Sequence, residues 1–183
     1  MREIIDLIET KSQEDLVQIK LPYAAGALSP VTSKTTVDLH YGKLYRAYVD
    51  RYNNHEGDRN FNEAGAFLHS IWFSQFHSPR SGNKPTGTVD ALITRKFGSF
   101  DDFKREFKEQ AMKLQGSNWI YLNKTGTIKT ISNHAKRTDI ALLVDWWEHA
   151  WINDYGTNKG KYLDGLWRII DWNVINHRLS GTQ

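Results

Sequence analysis

No cysteine occurs among the 183 residues. Disulfides, thiolate metal ligands and a cysteine nucleophile are therefore excluded, and the absence suits an intracellular setting. No run of five or more Lys/Arg is present, and the formal net charge of +3 is too small to argue for a nucleic-acid partner. No apolar stretch approaches membrane-spanning length. Met1 to Lys20 carries both charge signs and lacks the basic and apolar regions of a secretory signal; its acidic residues also argue against a transit peptide. No repeat or low-complexity tract is visible. These absences lead to the expectation of a soluble, cytoplasmic protein with no membrane or nucleic-acid partner.

What is abundant is aromatic. Phe, Trp and Tyr make up 13% of the chain, with seven Trp, a load that belongs in a packed core or a buried interface. Ile4, Ile5, Leu7 and Ile8 suggest a short amphipathic helix within 2–19, and Leu21-Pro22-Tyr23 reads as extended. Ser33 is a candidate N-cap for a helix in which Val37, Tyr41, Leu44, Tyr45, Tyr48 and Tyr52 recur at helical spacing. On that spacing His40, Leu44 and Tyr48 share one face. A polar turn, Asn53 to Asp58, leads to a second helix over about 62–75, so the two form an antiparallel hairpin.

Residues 77–88 hold two prolines, two glycines and two serines and make the best linker. Helices are expected over 88–97 and 100–114, the latter opened by a Ser99/Asp102 capping pattern. Strands at 119–122 and 127–132 flank the turn Asn123-Lys124-Thr125-Gly126, and Ile140 to Val144 reads as a buried strand. Helix is expected again over 146–155 and 161–178. The fold class is α+β, a helical front lobe followed by a small antiparallel sheet wrapped by helices. The expected division is 1–20 as an N-terminal extension, 21–82 as a helical hairpin domain and 83–183 as an α/β domain.

Of the seven histidines, His55 and His77 lie in polar loops, and His177 lies near the end. His40 and His69 instead sit inside neighbouring helices beside aromatic faces, where a hydrogen-bonded core histidine is the plainer alternative to a metal ligand. Asp145 ends the buried run Ala141-Leu142-Leu143-Val144, where a carboxylate is costly unless paired or metal-bound; a helix N-cap would also suit it. His149 follows four residues later among Trp146, Trp147 and Trp151. Three imidazoles and one carboxylate suit iron, manganese or zinc, so the donor types leave redox chemistry and hydrolysis both open.

Taken in order, several motifs resemble the iron/manganese superoxide dismutase family over about residues 21–179. They are Leu21-Pro22-Tyr23-Ala24, His40-Tyr41-Gly42-Lys43 with Tyr48-Val49, Phe97-Gly98-Ser99-Phe100, Gly116-Ser117-Asn118-Trp119, and Asp145-x-Trp147-Glu148-His149-Ala150. The resemblance implies an N-terminal α-helical hairpin domain and a C-terminal α/β domain with a three-stranded antiparallel sheet. It implies His40, His69, Asp145 and His149 as ligands of one iron or manganese ion per subunit, with a bound water or hydroxide completing the site. The implied reaction is disproportionation of superoxide to dioxygen and hydrogen peroxide. Tyr48 matches the family's active-site tyrosine, and Trp119, Trp147 and Phe73 would form an apolar wall.

The chain departs from the family's pattern at two pairs of positions. Of two positions where the family carries a glutamine, one is Gly65 and the other matches His134, which would then donate a hydrogen bond to the bound solvent. Leu44 replaces the family's gateway histidine and Ile152 its partner tyrosine, so the expectation is a homodimer in which Leu44 packs on Ile152 of a second subunit. Losing both halves of a polar pair can be nearly neutral. Glu148 matches a glutamate that reaches the partner's ligand histidine. The alternative functional reading is a catalytically degenerate member with a structural or binding role. A zinc hydrolase is disfavoured, because no positioned base or nucleophile emerges from the sequence.

Overall fold

The computed structural model describes residues 14–181. The expected helix through Ile4, Ile5, Leu7 and Ile8 lies outside them. Residues 14–20 are not helical. Their backbone is spent on side chains of the first lobe instead. Leu16 N–H donates to Asn53 Oδ1 (2.8 Å), Ile19 N–H donates to the Tyr45 hydroxyl (3.2 Å), and the Tyr41 hydroxyl donates to Ile19 O (2.7 Å).

The first long helix comes in three pieces. Helix α1 (Lys34–Leu39) starts at Ser33, whose hydroxyl accepts from Thr36 N–H. A π-helical stretch follows, His40–Tyr45, and α2 (Arg46–Asn53) completes it. This corrects the single-face expectation. Five residues, not four, separate the buried His40 from the next buried aromatic, Tyr45, and Leu44 is left half-buried. A carbonyl inside the π stretch, Tyr41 O, accepts from Gln18 Nε2 at 2.7 Å. Helix α3 (Arg59–Phe73), capped by Asp58, returns antiparallel against α2.

The second lobe opens with α4 (Gly87–Phe97) and α5 (Phe100–Met112). Ser99 caps α5 by accepting from Asp102 N–H and donating to the Asp102 carboxylate (2.6 Å). Strands β1 (Asn118–Asn123), β2 (Ile128–Ser132) and β3 (Ile140–Asp145) form one antiparallel sheet in the order β2-β1-β3. β1 and β3 are buried along their whole length, whereas β2 buries only Ile128 and Ile131. The register pairs Trp119 with Asp145. That pairing places an indole and a carboxylate side by side at the end of the sheet nearest α3.

Beyond β3 the chain is more broken than expected. A 3-10 turn (Glu148–Ala150), α6 (Ile152–Tyr155), α7 (Lys159–Leu166) and α8 (Trp172–Ser180) replace two continuous helices. The break after α7 has a cause. Ile170 bridges Phe76, His77 N–H and Asp171 N–H bond Ile169 O and Gln75 O, and the Asp171 side chain caps α8. These contacts tie the second lobe to the end of α3. A second tie holds the start of α1, where Asp154 accepts from Ser33 N–H and the Tyr155 hydroxyl donates to Val31 O. No described helix is long and apolar enough to cross a membrane.

Candidate metal centre

Asp145 is the last residue of a fully buried strand and is itself 0% exposed. Its two oxygens have different tasks. Oδ1 accepts from Trp147 N–H (2.9 Å) and so turns the chain after β3; it is not the helix N-cap that the sequence also allowed, because Trp147 holds that place before the 3-10 turn. Oδ2 faces three imidazoles. The Nε2 atoms of His40, His149 and His69 lie 3.0, 3.2 and 3.8 Å from it. All four donor atoms fall within 4.8 Å of one another. Two donors come from the helical hairpin and two from the end of the sheet, so the site exists only where the lobes meet.

The tautomers follow from the partners. His69 Nδ1 lies 2.7 Å from Gly65 O, which can only accept, so Nδ1 carries the proton and Nε2 presents a lone pair. Burial drives the pKa of His69 well below its ordinary value and lowers that of His40, so both rings are neutral at pH 7. Burial would raise the Asp145 carboxyl, but His149 and His40 more than offset it and hold it below the usual carboxylate range.

His40 Nε2 and His69 Nε2 are buried without a hydrogen-bond partner. For His40 this holds although Asp145 Oδ2 is 3.0 Å away, because the alignment of a hydrogen bond is missing. Buried polar atoms left unpaired cost about 1–3 kcal/mol each. Convergent lone pairs around one carboxylate oxygen remove that cost when a cation stands between them. Imidazole and carboxylate donors without thiolate fit a divalent or trivalent ion of borderline hardness, iron and manganese included.

Aromatic rings surround these donors. Trp119, 0% exposed, meets His69 edge-on with ring centroids 5.1 Å apart, and Phe73 meets His40 at 4.9 Å. Trp147 stacks on His134 at 4.6 Å, nearly parallel. Trp119 Nε1–H can only donate, and it donates to His134 Nδ1 (3.1 Å). His134 is therefore protonated on Nε2, and that proton goes to the Tyr48 hydroxyl (2.9 Å). Burial lowers the pKa of His134 to about 4, so it is neutral. Burial, reinforced by the Asp145 charge, raises that of Tyr48 to about 12. Both ring nitrogens of His134 are thus engaged by protein groups, and its hydrogen bond reaches the centre by way of Tyr48.

Two contributors are not evident from the spacing of motifs. Tyr45 stacks on His69 (5.6 Å, 17°), held there by Ile19 N–H on its hydroxyl. A stack of this kind leaves no local signal, because the π stretch shifts the register. Gly65 is the second. A Cβ at this position would stand 2.9 Å from both Cγ and Cδ1 of Tyr48. Gly65 thus lets the Tyr48 ring lie against α3 and reach His134. Alanine in place of a mid-helix glycine ordinarily stabilises by roughly 0.5–1 kcal/mol. Here Gly65→Ala is expected to destabilise by about 1–2 kcal/mol, since Tyr48 must move. In a Tyr48→Val background the sign reverses. Urea unfolding of the four metal-free variants checks this.

Among the gateway residues, Ile152 is 43% exposed and Leu44 half-buried. Glu148 is exposed, and no ion pair or hydrogen bond within the described residues engages its carboxylate.

Comparison with known proteins agrees with this geometry. Residues 17–61 match the alpha-hairpin domain of iron/manganese superoxide dismutases, and residues 85–178 match their C-terminal domain. An iron superoxide dismutase of Bacteroides fragilis is 37% identical, covering 87% of this chain and 97% of its own. A Mn/Fe superoxide dismutase of Porphyromonas gingivalis is 36% identical over the same shares. The iron enzyme of Escherichia coli K12 is 34% identical, covering 87% of this chain and 96% of its own. Both domain matches, which together span most of the chain, and relatives 34–37% identical over 87% of it place the chain in the iron/manganese superoxide dismutase family.

Proposed function

We propose that the chain is a superoxide dismutase holding one iron or manganese ion per subunit through His40, His69, Asp145 and His149. The observation that carries this reading is the convergence of three imidazoles on one buried carboxylate oxygen, with two of their nitrogens unpartnered. The names of the relatives point the same way. When bound, the ion supplies one-electron cycling between trivalent and divalent states, so that one superoxide is oxidised to dioxygen and a second, taking two protons, is reduced to hydrogen peroxide.

Asp145 carries the only negative charge among the four donors, and burial keeps His40 and His69 neutral. The loaded centre therefore keeps a net positive charge toward an anionic substrate. Tyr48 accepts from His134 and keeps its own phenolic proton available at the centre; its raised pKa keeps it protonated at pH 7. His134, fixed from behind by Trp119, sets the orientation of that phenol. Trp119, Trp147 and Phe73 exclude bulk water around the donors. Purified protein is expected to carry about one iron or manganese per chain. Exchange for zinc, which cannot change oxidation state, is expected to abolish dismutation without unfolding the chain. A zinc form as active as the native one contradicts the reading.

The working unit in this reading is a homodimer, joined where Ile152 and Glu148 are exposed and Leu44 is half-buried. Light scattering at micromolar concentration is expected to give twice the chain mass; a monomer contradicts it. Residues 1–20 form an N-terminal extension, 21–82 the hairpin domain and 83–183 the α/β domain, and the setting is cytoplasmic with an antioxidant role.

A further inference from the structure

On a helix, Phe67 and Ile71 face away from His69, and on that far side of α3 a cleft of about 300 Å³ opens toward the start of β3 and α8. Its floor is apolar, made of Phe67, Ile71 and Ile140. Lys124, Arg137 and His177 stand around it, Arg178 forms part of its wall, and no carboxylate of the described residues lines it.

Arg178 is the unusual member. Its guanidinium makes four hydrogen bonds, to Gln75 Oε1 (3.0 Å), Ala141 O (2.9 Å), Ile71 O (2.7 Å) and Ser74 Oγ (3.0 Å). Every acceptor is neutral. Arg178 is half-buried, and charges drawn even partly out of water are ordinarily paired with an opposite charge. Here desolvation acts unopposed and lowers the arginine's pKa to about 10. Lys124, Arg137 and His177 form no ion pair among the described residues. The neighbouring acids are already engaged, Asp139 by Lys129, Tyr121 and Asn123, and Glu63 by Lys136. Among the described residues, the cleft therefore combines an apolar floor with a cationic wall that no carboxylate pairs with directly.

We propose that this cleft binds a small organic carboxylate with a flat apolar body, the body against Phe67 and Ile71 and the carboxylate between Lys124 and Arg137. The volume lies at the lower end of the range for small-molecule sites, which suits a ligand of one or two fused rings. The ligand supplies the negative charge that the Arg178 environment lacks. It sits across α3 from the metal centre and does not compete for it.

Calorimetric titration of the metal-loaded protein with 2-naphthoate tests the assignment. Binding is expected, weakening about tenfold in the Lys124→Gln/Arg137→Gln double variant and by a similar factor on raising salt to roughly 0.5 M. The neutral analogue 2-naphthylmethanol is expected to bind at least about tenfold more weakly. Dismutation by the double variant stays at the parent rate, which shows that it is folded and that the loss is local. No binding of naphthoate at millimolar concentration overturns the proposal. So does equal binding of the neutral analogue, or unchanged affinity in the double variant.

Discussion

Replacing Asp145 by asparagine is expected to give a folded chain that has lost metal affinity and dismutation by at least about 100-fold. The substitution keeps the shape and keeps the Oδ1 acceptor for Trp147 N–H, so the turn after β3 survives. It removes the only negative charge in the donor set and replaces Oδ2, the atom on which three imidazoles converge, by an amide nitrogen. In the metal-free protein that nitrogen can donate to the bare His40 Nε2, so unfolding of the metal-free form shifts little. Metal analysis and calorimetry of the stripped proteins separate the two effects. Retained metal at parent affinity contradicts the ligand set; a large loss of metal-free stability means that Asp145 is chiefly structural.

Gln75→Leu is expected to lower stability by about 3–5 kcal/mol while leaving all four metal donors in place. β3 is an edge strand, and its outer side faces Gln75 rather than another strand. The fully buried Gln75 amide donates to Leu143 O (2.5 Å) and accepts from Leu143 N–H (3.3 Å), acting as a one-residue substitute for a neighbouring strand. Its oxygen also accepts from Arg178. Leucine fills the space but strands a buried carbonyl and N–H, and takes one partner from the half-buried Arg178 guanidinium. For a chain of this size the melting temperature falls by roughly 10 °C. A loss below about 1 kcal/mol means that the strand edge finds other partners.

The residues behind these two effects differ in how plainly the sequence displays them. The Asp145–His149 segment is legible, because a carboxylate closing an apolar run and an imidazole among indoles are anomalies within a few residues. The strand pair around Asn123–Gly126 and the Ser99 cap are legible for the same reason, since their signals are local. Gln75 and Arg178 are not. In sequence they look like ordinary polar residues, and only partners 68 and 103 positions apart give them their roles. The π stretch is also hidden, because one inserted residue between His40 and Tyr45 cannot be told from imperfect 3.6 periodicity. The break between α7 and α8 is masked by Ile169 and Ile170, whose apolar character continues the helical pattern while their backbone pairs with the end of α3. The Gly65 contact with Tyr48 joins two helices and leaves no trace in either.

The central claim is that these lobes close on a redox-active ion, and its most direct test is the dismutation rate of stripped protein reloaded separately with iron and with manganese. The account predicts rapid turnover with at least one of the two, in a form that binds the metal one per chain. Folded protein that binds iron and manganese yet turns over superoxide with neither would contradict it, and would leave the four donors as a structural metal site in a chain that has lost the family's chemistry.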